Sequence, residues 1–142
     1  MKISLIIMML LLASFKLGAD LINNETLFWY DQDRKITLWK NDYNIKHESY
    51  IYTESPSTHA RKQVLTGKII ITFPIAKKSE ELSDFSIRHN IFLIKKINIG
   101  SSTYLFYTES IVDSLQIANS IYREHGVIAA YPDWMYLLEE LQ

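Results

Sequence analysis

The apolar and polar positions are most regular after residue 66. GKIIITF at 67–73 is a continuous β-branched run of strand length, closed by Pro74. Residues 77–90 predict a helix, with Leu82, Phe85, Ser86 and His89 on one face and Glu80 and Glu81 at the positive end of the dipole. Ser79 is placed as its N-cap and Asn90 as a left-handed C-cap. IFLIKKI at 91–97 and TYLFYT at 103–108 predict two antiparallel strands joined by a turn around Gly100. Ile111, Leu115, Ala118 and Tyr122 then follow helical spacing, with Ile117 and Ile121 as a shoulder, and predict a second helix over 113–124. Ser110 and Asp113 stand at capping-box spacing. Gly126 ends this helix, because glycine alone takes the left-handed conformation without steric cost. VIAAY at 127–131 is the last strand, and Pro132-Asp133-Trp134 is expected to lead out of the fold.

The order is β-α-β-β-α-β. It predicts an α+β, ferredoxin-like antiparallel sheet with two helices on one face. The other face is then left partly bare, to be covered by an N-terminal hairpin, a second copy or a partner protein. LFWY (27–30) and KITLW (35–39) flank the polar DQDR and predict that hairpin. Residues 41–63, with the polar stretch ESPSTHARKQ, carry no periodicity and are expected to form a linker or mobile loop. The expected organisation is a signal peptide at 1–19, a hairpin and linker at 20–62, and the main domain with its C-terminal tail at 63–142.

The N-terminus changes the expected compartment. Lys2, an apolar run of about 13 residues and the small pair Gly18-Ala19 make a signal-peptide pattern, too short for the roughly 20 residues of a membrane-spanning helix. A periplasmic or secreted protein is expected, with no stable membrane anchor after cleavage. The chain has no cysteine, so neither a disulfide nor a lipid-anchored cysteine enters the account. A sequon at 24–26, Asn-Glu-Thr, follows the leader.

With 142 residues, 48% apolar and 22% charged, the composition is that of one globular domain. Net charge is −1, and setting aside the two lysines of the leader makes it about −3, which argues against nucleic acid as a partner. Tyr104, Phe106 and Tyr107 are accordingly assigned to packing rather than to base stacking. The four histidines, His47, His59, His89 and His125, are scattered without metal-ligand spacing. His89 and His125 fall at helix C-termini, where a cation complements the dipole. Adjacent acidic pairs, Glu80-Glu81 and Glu139-Glu140, point in different directions on a helix and suit a solvated face. No set of nucleophile, base and orienting carboxylate can be assembled, so no enzyme, cofactor, metal or small-molecule substrate is expected.

TGKIIITF, SEELSDF, HNIFLIKKI, STYLFYT and above all DSLQIANSIYREHGVIAAYPDW (113–134) resemble the N-terminal propeptides of bacterial subtilisin-like serine proteases. Those propeptides have a strand of GKI-V-F flavour, and later a helix of the type AN-LYE followed by V--A-P-; here IANSIYREHG and VIAAYPDW stand in those places. LFWYDQDRKITLWK resembles the aromatic hairpin that precedes such propeptides. The resemblance implies a folding helper and inhibitor whose sheet packs on two surface helices of the protease, while the segment after the last strand enters the active-site cleft like a product. It implies that Tyr131, Pro132, Asp133, Trp134, Met135 and Tyr136 bind the protease.

The chain departs from the family in carrying no catalytic domain: there is no G-T-S-x-A around a serine and no matching Asp and His. Action in trans on a separately encoded protease is therefore expected. The alternatives are an envelope protein-binding or self-associating module, and the separated N-terminal remnant of a split protease gene. The tail from Trp134, WMYLLEELQ, is either extended for up to roughly 30 Å or a short amphipathic helix through Leu137, Leu138 and Leu141.

Overall fold

The computed structural model describes residues 27–98, 100 and 102–138. The leader at 1–19, the sequon at 24–26 and the final Glu139-Glu140-Leu141-Gln142 lie outside the described residues. The elements in order are β1 (Leu27–Asp31), β2 (Arg34–Asn44), a 3-10 turn (Ile45–His47), β3 (Ser49–Thr53), β4 (Gln63–Thr72), α1 (Ser79–His89), β5 (Ile91–Ile97), β6 (Thr103–Thr108), α2 (Ser114–Tyr122) and β7 (Ala129–Tyr136). The fold is α+β: an antiparallel sheet with two helices on one face, preceded by an N-terminal hairpin. The sheet has seven strands, three more than the pattern after residue 66 predicts.

β4 is the strand that joins two halves of this sheet. Its C-terminal half lies between β7 and β6, with Ile70 opposite both Tyr131 and Leu105. Its N-terminal half lies between β7 and β3, with Val64 opposite Met135 and Ile51. At the join, three β4 residues lie between Leu65 and Ile69 where β7 has one, Asp133, between Trp134 and Pro132. Gly67 sits in this bulge at φ +82, the left-handed region open to glycine. Thr66 Oγ1 donates to Asp133 Oδ2 at 2.8 Å, and Thr108 Oγ1 donates to the Gly67 carbonyl at 2.9 Å, so both flanking strands hold the bulge.

The helices cover one side of the C-terminal half. Leu82 and Phe85 of α1 and Ala118 and Ile121 of α2 pack on Ile69, Ile71, Phe73, Tyr104 and Phe106. Burying side chains of this size stabilises the fold by about 1.5–3 kcal/mol each. α1 starts one residue earlier in role than expected: Lys78 is the N-cap and its N–H donates to Glu81 Oε2 at 2.8 Å, leaving Ser79 inside the first turn. Asn90 takes the left-handed C-cap at φ 52. α2 is shorter than predicted. Ser110 makes no capping box; a turn through Ile111 precedes Ser114, and Ile111 leaves the helical stripe to press on Gly67. The buried stripe is then Ser114, Leu115, Ala118 and Ile121, so Ile121 belongs to the stripe and Tyr122 is only partly buried. Gly126 does have positive φ, but four residues past the end of α2.

A second core fills the N-terminal half. Leu38, Tyr52, Leu65 and Leu115 are buried there, with Leu27, Trp29, Tyr50, Ile111 and Trp134 around them. Residues 41–63, read as a linker, in fact hold the end of β2, the 3-10 turn, β3 and the first residue of β4, with an irregular stretch only at 54–62. Burial, and secondarily the neighbouring Tyr50, push the Tyr52 hydroxyl up from 10.0 to about 12. The folded state holds this proton when the unfolded chain has released it. The stabilisation is therefore complete below pH 10.0 and is lost progressively as the pH rises toward about 12. Thermal melts across that window are expected to show a fall in Tm that Tyr52→Phe reduces.

The last strand differs most from expectation. β7 does not stop at Tyr131 but runs to Tyr136, so Pro132, Asp133 and Trp134 are its interior rather than an exit. β7 is hydrogen-bonded to β4 alone, and a strand with one free edge tolerates a proline that lacks an N–H. Pro132 is fully buried opposite Ile69.

Candidate protein-binding face

Directly opposed residues in an antiparallel sheet share a face, so the register defines the side away from the helices. One row reads Tyr131, Ile70, Leu105, Lys95, and the next reads Lys68, Tyr107, Phe92. A third reads Ala129, Thr72, Thr103, Ile97. Phe92 and Tyr107 are stacked with ring centroids 4.8 Å apart, yet remain 38% and 43% exposed. The pair stands at the β5 edge of the face, and exposed aromatic surface of this kind is enriched at protein contact sites.

The N-terminal hairpin meets this face only at its β7 margin, where Trp29 lies 6.3 Å from Tyr131 between ring centroids, and leaves the rest of it open. β3 continues the sheet edge to edge from β4, and β1 turns toward the helix side. There Asn119 Nδ2 of α2 donates to the Phe28 carbonyl at 2.7 Å, and Tyr30 stacks on Tyr122 at 4.0 Å. Of the three covers the sequence suggests, the hairpin is thus engaged mostly elsewhere.

The six residues assigned to protease binding divide by strand alternation. Tyr131, Asp133 and Met135 lie on the open side; Pro132, Trp134 and Tyr136 lie on the other. Trp134 enters the second core, 5.9 Å from Trp29 and 5.5 Å from Tyr52 between ring centroids. Asp133 is tied to Thr66, and the Arg61 guanidinium lies over the Tyr136 ring at 3.4 Å. The pKa of the Tyr131 hydroxyl is raised by burial first, and then by Asp31 and Asp133. The structure therefore does not bring the six together as one surface. Phe92, Leu105, Tyr107 and Ile70, which it does bring together, carry a period-two signal that the sequence reading used only for strand assignment.

His89 Nε2 lies 2.6 Å from Glu124 Oε2, and Arg88 lies 2.7 Å from the other oxygen, joining the C-terminal ends of α1 and α2. His125 lies in the turn beyond α2, His47 in the 3-10 turn and His59 in the irregular stretch. Among the described residues no three His, Asp or Glu are grouped to hold a metal ion. No described helix is long and apolar enough to cross a membrane.

Comparison with protein-family models, with curated proteins and with solved structures finds no match to this chain.

Proposed function

We infer that this is an exported, propeptide-like protein without catalytic activity that binds a separately encoded subtilisin-like serine protease, and inhibits it or assists its folding. The observation that carries the reading is the apolar sheet face left open opposite the helices, with Phe92 and Tyr107 exposed on it. Strand order β7-β4-β6-β5 supports treating that half as a ferredoxin-like unit. The motifs that resemble subtilase propeptides fall within it: GKIIIT on β4, the IANSIY helix on α2 and AAYPDW on β7.

In this arrangement the face supplies the main contact, near the standard interface of about 1,600 Å². Tyr131 and Met135 extend it along β7. Two assays test the proposal: inhibition of a subtilisin-like protease, and the rate at which the denatured protease refolds. At micromolar chain the expected result is slower substrate turnover or faster recovery of activity. Neither effect at that concentration would overturn it.

A further inference from the structure

The open face carries Lys95 on the edge strand β5 and Lys68 on β4, next to β7. Lys68 and Lys95 stand beside Tyr107, Phe92 and Leu105, and neither forms an ion pair among the described residues. At the β7 margin Tyr131 stands near Asp31 and Asp133. The Asp31 side chain remains 42% exposed beside its Arg34 partner. Between the margins lie Ile70 and Leu105.

A twofold axis parallel to the strands, between β4 and β6, would superpose this face on its own reversed copy. Leu105 would meet the second copy's Ile70. Tyr107 would meet the second copy's Lys68, ring face to ammonium. Lys95 would meet the second copy's Tyr131 and the two carboxylates near it. An axis at right angles would instead set Lys95 against Lys95. We propose that a second copy of this chain covers the open face, in an isologous dimer with the two sheets packed face to face. The dimer stands whether or not a protease binds. If one does, it takes the same face, and the dimer must open first.

The test is the solution mass of the full chain, expressed with its own N-terminal segment and followed by sedimentation from micromolar to sub-millimolar concentration. A monomer–dimer equilibrium is expected, weaker at high salt. Tyr107→Glu and Lys95→Glu, both at exposed positions, are expected to weaken it by at least about tenfold with the thermal melt retained. Lys35→Glu, on the hairpin away from the face, is expected to leave it unchanged. A chain that stays monomeric throughout, or a dimer indifferent to both face variants, would overturn the proposal.

Discussion

Gly67→Ala is expected to destabilise the folded chain by about 3 kcal/mol. Two separate costs add. The backbone at φ +82 disfavours any residue with a Cβ, and an added Cβ would stand 3.0 Å from the Ile111 side chain. A loss of that size lowers Tm by roughly 10 °C for a domain of this length. The two costs can be separated: in an Ile111→Ala background, which removes the Cγ1 atom that the added Cβ meets, Gly67→Ala is expected to lose the steric part of its cost and keep the backbone part. Differential scanning calorimetry of the single and double variants checks both. A single variant that melts with the wild type would mean that the bulge joining the two halves of β4 is not built as described.

Trp134→Ala is expected to cost about 3 kcal/mol in a denaturant titration. The indole packs against Trp29, Tyr52 and Leu65 inside the second core, so its removal leaves a cavity bounded by three strands. Were residues 132–134 an extended exit from the fold, the same substitution would change stability by no more than about 0.5 kcal/mol. The experiment therefore decides between a tail and a strand for the stretch with the strongest family resemblance.

Where one residue type dominates local sterics, the sequence is read correctly. The run IFLIKKI at Ile91–Ile97 begins right after the left-handed Asn90, and both ends of β5 and of β6 fall where the pattern puts them. The four-strand half and the side its helices cover are legible for the same reason. β3 escapes notice because SYIYT is short and alternates only weakly: Ser49 is buried by accepting the Leu65 N–H, not by being apolar. Its tyrosines and Ile51 have high strand preference, and that signal alone could have found it. β7 is cut short because proline ends most strands, while its tolerance here depends on a free edge that only tertiary structure reveals. α2 is misread at its start because Ile111 fits the helical spacing but is recruited by Gly67, 44 positions earlier.

The candidate site is less legible than the fold. Period two marks Phe92, Leu105 and Tyr107 as facing one side of their strands, but whether that side is open depends on where the hairpin goes. The hairpin's aromatic residues suit either destination. Tyr30 on Tyr122, and the Phe28 carbonyl on Asn119, send it to the helix side.

Side-chain oxidation footprinting tests the central claim most directly. The chain is labelled with hydroxyl radicals at a concentration where it is monomeric, alone and with an active-site-blocked subtilisin-like protease. Phe92 and Tyr107 are expected to lose most of their reactivity in the complex, while Tyr43, 49% exposed at the far end of β2, keeps its own. Phe92 and Tyr107 labelled equally with and without the protease would contradict the account.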